Sequence, residues 1–310
     1  MPEKLSRAER EALEPPDVWI TLDGHADAEN VALLLAKERG YFRDLGISVG
    51  MAAPVSPGRP VYYVSTGTAD IGVSQQPQVV VAKDKRAPVI AIGSLLSRPT
   101  LSMIWLRNSR IHDIADLKGK TIAVPGIPYQ GKLLRLFLAR AGLRLRDVKI
   151  KVVGYNLVPA LVSGRADAIF GGSWNLEGAV IKARGLRPVI TPVRRLGVPA
   201  YDEAVLIART RRASRNARSI RRFMAAVARG TQAAIKNPAA AVRAIEKSPE
   251  GENVFGHKAV VAEVEATLPL LSRTGRISPA RTKNLVEWMH QQGLIQRMPP
   301  VSELQALHLK

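Results

Sequence analysis

The 310-residue chain contains no cysteine. Disulfides, thiolate metal sites, cysteine nucleophiles and a lipidated N-terminal cysteine are therefore excluded. The five histidines (His25, His112, His257, His290, His308) lack the HExxH or paired spacing of a zinc site. No metal and no cofactor is expected. No apolar run approaches the ~20 residues needed to span a bilayer. The first residues, MPEKLSRAEREALEPP, lack the apolar core and small-residue cleavage site of a signal peptide. As written they form a charged extension. Ser6 and Glu9 make a capping box for a short helix that Pro15 and Pro16 stop. A trimmed leader or a misplaced start would both give this beginning. Acidic residues are few, 26 Asp+Glu against 46 Lys+Arg, for a formal net charge of +20. Such an excess favours anionic surfaces or ligands, but it speaks to association and not to fold. Aromatics make up only 5% of the chain, so each one away from a core position is informative.

What is present is a regular alternation. VWITL, ISVGM (47–51), DIGVS (70–74), PVIAIGSLL (88–96) and LSMIWL (101–106) read as strands. Between the first of them lie helices at 28–40 and 59–67, each closed by glycine, and one with Pro77 in its first turn. A second run follows. It has a short helix at 113–119, strands TIAVP (121–125), VKIKVVG (148–154) and DAIFGGS (167–173), and helices at 132–142 and 157–164. AVLIART (204–210) reads as a strand returning the chain to the first unit, and from about 215 the chain is helical. This order predicts mostly parallel sheets with helices on both faces. Arg209, Arg211, Arg212, Arg215, Arg218, Arg221, Arg222 and Arg229 suggest nucleic acid at first sight. Their spacing suits the solvated face of a helix whose other face carries Ile220, Phe223, Met224 and Val227. No nucleic-acid motif accompanies them, and no such partner is expected.

Two segments match: STGTADIGVSQQP (65–77) and VSGRADAIFGGSWN (162–175). In both a helix ends on glycine, an Asp starts a buried strand, and the strand delivers polar side chains to its carboxyl end, where open α/β sheets bind ligands. Two such units predict two strand ends facing one cleft. Trp174 there offers a stacking face, and Asn175 and Glu177 offer directional hydrogen bonds to a polar heterocycle. Each has a plainer reading: a core tryptophan, a helix N-cap, and a first-turn acid favoured by the helix dipole. Gln75 and Gln76 are candidate cleft contacts, or merely exposed loop amides. The Pro125–Tyr129 turn, with Gly126 and Tyr129, is a candidate anion cradle or a plain turn. Asp23, His25 and Asn30 follow the first strand, although Asn30 could lie within the helix. Tyr155 and Asn156 follow VKIKVVG, where Tyr155 could equally be a packed loop aromatic.

At AKERGYFRDLGISV (36–49), STGTADIGVSQQP, DLKGKTIAVPG (116–126), GYNLVPALVSGRADAIFGGSWNLEG (154–178) and GVPAYDEAVLI (197–207), the chain resembles the solute-binding proteins of ABC importers. The closest branch binds thiamine pyrimidine precursors and shares ancestry with pyrimidine synthases of thiamine biosynthesis. The likeness spans roughly residues 17–295. It implies an α/β protein of the periplasmic-binding-protein-like (type II) class, with a ligand cleft between two lobes and a helical C-terminal segment. The expected division is a 1–16 extension, lobe 1 from 17–106 plus 204–310, and lobe 2 from 107–203, with hinges near 106–112 and 197–204. The resemblance also implies a pyrimidine held by Trp174 with Glu177 on its ring nitrogen and amino groups, an importer permease as partner, a monomer, and an extracytoplasmic location. The chain's first residues leave a cytosolic ligand sensor open. Two departures stand out. Where relatives carry Asn-x-x-His near the first helix, Asn30 occupies the histidine's place. Where they read Tyr-Gln-Pro-Glu, this chain reads Gln75-Gln76-Pro77-Gln78. The alternatives are a pyrimidine synthase-like enzyme, which would use lysine-bound pyridoxal phosphate, a histidine and a cysteine-rich segment, and a binding protein for a small organic anion such as a sulfonate.

Overall fold

The apolar runs pair into two separate five-stranded sheets in the computed structural model, which describes residues 16–251 and 255–306. The expected helix over Ser6–Glu9 lies outside the described residues. In the first lobe, strands β1 (Val18–Thr21), β2 (Val49–Ala52), β3 (Ile71–Gln75) and β4 (Val89–Ser94) alternate with helices α1 (Val31–Glu38), α2 (Pro60–Thr66) and α3 (Gln76–Asp84). The second lobe holds β5 (Leu101–Leu106), β6 (Thr121–Val124), β7 (Lys149–Val152), β8 (Ala168–Ser173) and β9 (Pro188–Pro192). Its helices are α4 (Pro128–Arg140), α5 (Leu157–Val162) and α6 (Glu177–Ala183). Strand β10 (Ala204–Arg209) rejoins the first sheet, and α7 (Thr210–Arg215), α8 (Ala217–Lys236), α9 (Pro238–Glu246), α10 (His257–Thr267), α11 (Pro279–Gln291) and α12 (Val301–Leu304) complete the chain.

The sheet orders are β2-β1-β3-β10-β4 and β7-β6-β8-β5-β9. Each is parallel except for its fourth strand, β10 or β5, which runs antiparallel to both neighbours. The chain thus crosses between lobes twice, at 95–100 and at 193–203. The first crossing differs from the expected boundary, because β5 pairs with β8 and β9 and not with lobe 1. LSMIWL is apolar but for Ser102, as suits a central strand buried on both faces, so its composition is equally suited to either sheet. Strand β9 is absent from the sequence reading: Pro188 and Pro192 bracket VIT and read as a loop, yet an edge strand tolerates proline at its ends.

The matched segments are the same device used twice. Asp70 Oδ2 accepts from the Trp19 N–H at 2.9 Å, pinning β3 to β1. Asp167 Oδ2 accepts from the Thr121 N–H at 2.8 Å, pinning β8 to β6. Gly67 and Gly164 end the preceding helices at φ +86° and +71°, where a side chain would be strained.

Buried carboxylates fasten the two crossings to each other. Glu203 Oε2 accepts from Thr100 N (2.6 Å), Leu101 N (3.1 Å) and the Tyr201 hydroxyl (3.1 Å). Asp202 Oδ1 accepts from Ser94 Oγ and from the Arg281 guanidinium. One apolar core runs through this hinge side, from Val79 and Ile207 of lobe 1 to Leu133 and Phe170 of lobe 2. A second core underlies lobe 1, where α8 lies along α1. The C-terminal helices are not confined to lobe 1: α10 packs against α9 and also against α6 of the second lobe.

Candidate functional site

Away from the hinge core, the lobes enclose a cavity of about 860 Å³. Its walls follow from the topology. The loops after β1 (Gly24–Asp27) and β2 (Pro54, Val55) come from lobe 1, and the loop after β7 (Tyr155, Asn156) and the start of α6 (Leu176, Glu177) come from lobe 2. These are the carboxyl ends of parallel strands, where the next element turns away and leaves a crevice. Val260 and Glu263 of α10 close a third side.

Of the residues expected from sequence, His25, Tyr155, Asn156 and Glu177 line this cavity. Glu177 is the first residue of α6. Its Oε2 accepts from the Ser173 N–H at 2.6 Å, a reach that fixes the carboxyl between helix and strand end. Gly172 leaves the space this needs, since a Cβ there would stand 3.3 Å from the Glu177 carboxyl. The Tyr155 hydroxyl donates to the Pro54 carbonyl at 3.3 Å, and its ring meets the His25 ring edge-on with centroids 4.8 Å apart. A lobe 2 side chain thereby touches two lobe 1 loops.

Asp23 and Asn30 stand one layer back. The Asn30 amide, fully buried, donates to Asp23 Oδ1 (3.2 Å) and to Asp27 Oδ1 (3.0 Å). It braces Asp27, which caps the 3₁₀ turn Ala28–Asn30 by accepting from the Glu29 N–H.

The remaining candidates are elsewhere. Trp174 is half-buried against the lobe 1 core, and its indole N–H donates to the Pro99 carbonyl at 3.3 Å. It joins the lobes at a crossing and is not among the residues lining the cavity. Asn175 is fully buried and caps nothing. Its amide donates to Glu29 Oε1 (3.1 Å) and Thr267 Oγ1 (2.8 Å), tying lobe 2 to lobe 1 and α10. Gln76 is framework: it accepts from the Asp202 N–H and donates to Thr282. Gln75 ends β3, half-buried, outside the cavity lining. Tyr129 is buried in the core shared by both lobes, where burial and nearby Glu203 push its phenol well above the usual range. Gly126 is an exposed turn glycine at φ +89°, beside Val152.

Sequence reasoning missed Asp27 and Glu263. Asp27 precedes AEN as an N-cap would, and Glu263 sits three residues after Val260, on the buried face of α10. That second spacing was a usable signal: an acid within an apolar stripe needs a reason. Both carboxyls are raised, Asp27 to about 8 by burial and then by Asp23, and Glu263 to about 9 by burial and then by Asp27 and Glu177. Burial also raises Glu177, against the lowering effect of the Ser173 N–H. Glu29, behind them, is pushed well above the usual range by burial and by Asp27, Asp23 and Glu203. Among the described residues no group of three or more His, Asp or Glu could hold a metal ion. The site is therefore a chamber of weakly acidic carboxyl groups and ring faces, suited to holding a small molecule rich in hydrogen-bond donors.

Two α/β lobes joined by two crossings, with strand-end loops around a shared cavity, define the periplasmic-binding-protein fold. The alkanesulfonate-binding protein of Xanthomonas axonopodis pv. citri, solved with MOPS bound, has this fold, with a TM-score of 0.69 at 18% identity over 93% of this chain and 97% of that one. The chain belongs to the NMT1/THI5 like family, which matches residues 28–241. It is 32% identical to the formylaminopyrimidine-binding protein of Halalkalibacterium halodurans over 244 residues, 78% of this chain and 73% of that protein. It is 30% identical to the 4-amino-5-hydroxymethyl-2-methylpyrimidine phosphate synthase of Aspergillus parasiticus over 228 residues, 70% of this chain and 66% of the enzyme.

Proposed function

We propose that this protein is the non-enzymatic solute-binding component of an ABC importer and captures a small heterocycle, a thiamine pyrimidine precursor, by lobe closure. The observation that carries the reading is the 860 Å³ interlobe cavity with Glu177 at the end of β8 and Tyr155 facing it from the same lobe. The Glu177 carboxyl, fixed at the strand end, suits an aminopyrimidine edge. Its Oε2 keeps the Ser173 N–H, and its other oxygen accepts from the exocyclic amine. Tyr155 and His25, from opposite lobes, meet edge-on and line the cavity together, so closure gives the ligand one aromatic wall. The closed surface is then what a permease recognises, and the place of action is extracytoplasmic.

The relatedness to a formylaminopyrimidine-binding protein supports this reading. The relatedness to a pyrimidine phosphate synthase keeps an enzyme as the second reading. Against it stand the absence of any cysteine and Asn30 in the place where the synthase-like histidine is expected. Mass spectrometry of ligand released from the purified, denatured protein tests the proposal. A substituted aminopyrimidine is expected. A sulfonate in its place, or a pyridoxal chromophore in the purified protein, would overturn it.

A further inference from the structure

The chain is strongly basic overall, with a net charge of +20, yet its cavity has the opposite character. Asp27, Glu177 and Glu263 reach it from three separate elements, and Arg184 is the only lysine or arginine among the described lining residues. Arg184 is exposed, with its guanidinium 6.0 Å from the centroid of the Phe255 ring. Among the described lining residues the other titratable groups are His25 and Tyr155, with Asp23 behind Asp27. Glu177 is engaged by Ser173 and Asp27 by Glu29 and Asn30, whereas no described residue donates a hydrogen bond to Glu263. Two fully buried acceptor atoms stand behind these carboxyls, outside the cavity lining. Asn30 Oδ1, in the side chain that bridges Asp23 and Asp27, and Asn175 Oδ1, in the side chain bonded to Glu29, both lack a donor. Buried acceptors without donors are costly, and carboxylates sharing a poorly solvated chamber repel one another. The room for a ligand is there, and three carboxyl groups on separate elements face it.

We propose that Asp27 and Glu263 form a cation-taking subsite beside Glu177, so that the ligand carries an ammonium-type group in addition to its ring edge, and a phosphate or sulfonate at that place is refused. The inference rests on the heterocycle reading only in assigning the ring to Glu177. Element packing supports it: α10, which carries Glu263, lies against both the 3₁₀ turn that Asp27 caps and α6, which carries Glu177. The subsite reverses what net charge alone suggests: Asp27 and Glu263, raised to about 8 and about 9 in the empty cavity, release a proton to solvent on taking the ammonium group, and the carboxylate so formed acts on the ligand far more strongly than distant, screened surface arginines do.

Calorimetric titration of the full chain at neutral pH tests this with four probes: 4-amino-5-aminomethyl-2-methylpyrimidine, its 5-hydroxymethyl analogue, the phosphate ester of that analogue, and benzylamine. The aminomethyl compound is expected to bind about tenfold or more tighter than the hydroxymethyl compound, and the phosphate ester more weakly than either. Glu263→Gln is expected to remove most of the aminomethyl advantage while keeping the hydroxymethyl affinity. Asp27→Asn, which retains the cap, serves as the second variant, and thermal melts confirm that both fold. Equal binding of the aminomethyl and hydroxymethyl compounds, or a phosphate ester that binds as tightly as its alcohol, overturns the subsite and leaves the heterocycle reading standing. Binding of benzylamine alone, lost in Glu263→Gln, keeps the subsite and overturns the heterocycle reading. Failure of all four probes to bind overturns the subsite.

Discussion

Glu177 and Trp174 are three residues apart, and the structure gives them different work. Glu177 faces the cavity with one oxygen engaged by Ser173, so the rest of its carboxyl is available. Replacing it with Gln keeps the shape and the Ser173 bond but turns one acceptor into a donor. Against an amino edge that leaves two donors opposed, at about 1–3 kcal/mol, or roughly tenfold to a hundredfold in affinity. Titration with an aminopyrimidine checks this, and the melting temperature is expected to stay near that of the parent. Trp174→Ala is expected to behave in the opposite way. The indole packs on the lobe 1 core and bonds Pro99, so its loss costs about 2–3 kcal/mol of folding stability with less than about a tenfold change in affinity. Urea unfolding and titration on the same sample separate the two effects. A folded, fully stable Trp174→Ala with strongly weakened binding would restore the tryptophan to the cleft wall.

At the scale of elements, the α1–α8 pair sets the geometry of lobe 1, on which the Asp27 turn depends. The pair approaches closely at Gly230, where a Cβ would collide with the Ala32 carbonyl and crowd Ala36. Helix propensity alone favours alanine over glycine by about 1 kcal/mol. Overpacking of a close helix crossing costs about 1–3 kcal/mol, and here the obstacle is backbone, which cannot rotate away. Gly230→Ala is therefore expected to destabilise the protein despite its better propensity, measured as a lower urea midpoint with an unchanged slope.

For the whole molecule, the interlobe carboxyls make stability depend on pH. Asp27 and Glu263 titrate near about 8 and about 9 in the folded state, above the ordinary carboxyl range of about 4 in an unfolded chain. At acid pH, below the unfolded values, both states are protonated and the folded state suffers no penalty. As pH rises from about 4 to about 9 the unfolded chain releases these protons first, so the folded state binds more of them and stability falls. Ligand-free protein is thus expected to melt at progressively lower temperature across that window, and to level off above it. Asp27→Asn combined with Glu263→Gln is expected to flatten the slope. A melting temperature that rises through the window in the parent protein would contradict the assignment. Other contacts hold the lobes together, through Asn175 to Glu29 and Tyr155 to Pro54.

The sequence by itself determined most of the elements, β9 apart, and the class of fold. Strand runs such as VKIKVVG and glycine-closed helices carry local signals, and the twin Asp70 and Asp167 motifs repeat one hydrogen-bonding device that needs only neighbouring strands. It also placed Glu177 and Tyr155 at strand ends, because an α/β unit exposes polar residues there for a reason the topology supplies. Only tertiary structure decided the rest. A largely apolar strand such as β5 matches either sheet, so the first crossing depended on which partners were available. Gln76, Asn175 and Tyr129 are polar groups whose partners lie far away in the chain, at Asp202, Glu29 and the core between the lobes; pattern alone cannot tell a buried strut from a ligand contact. Glu263 shows the converse. More than 200 residues separate it from Asp27, and only the packing of α10 across both lobes brings its carboxyl to the cavity, where burial changes its chemistry.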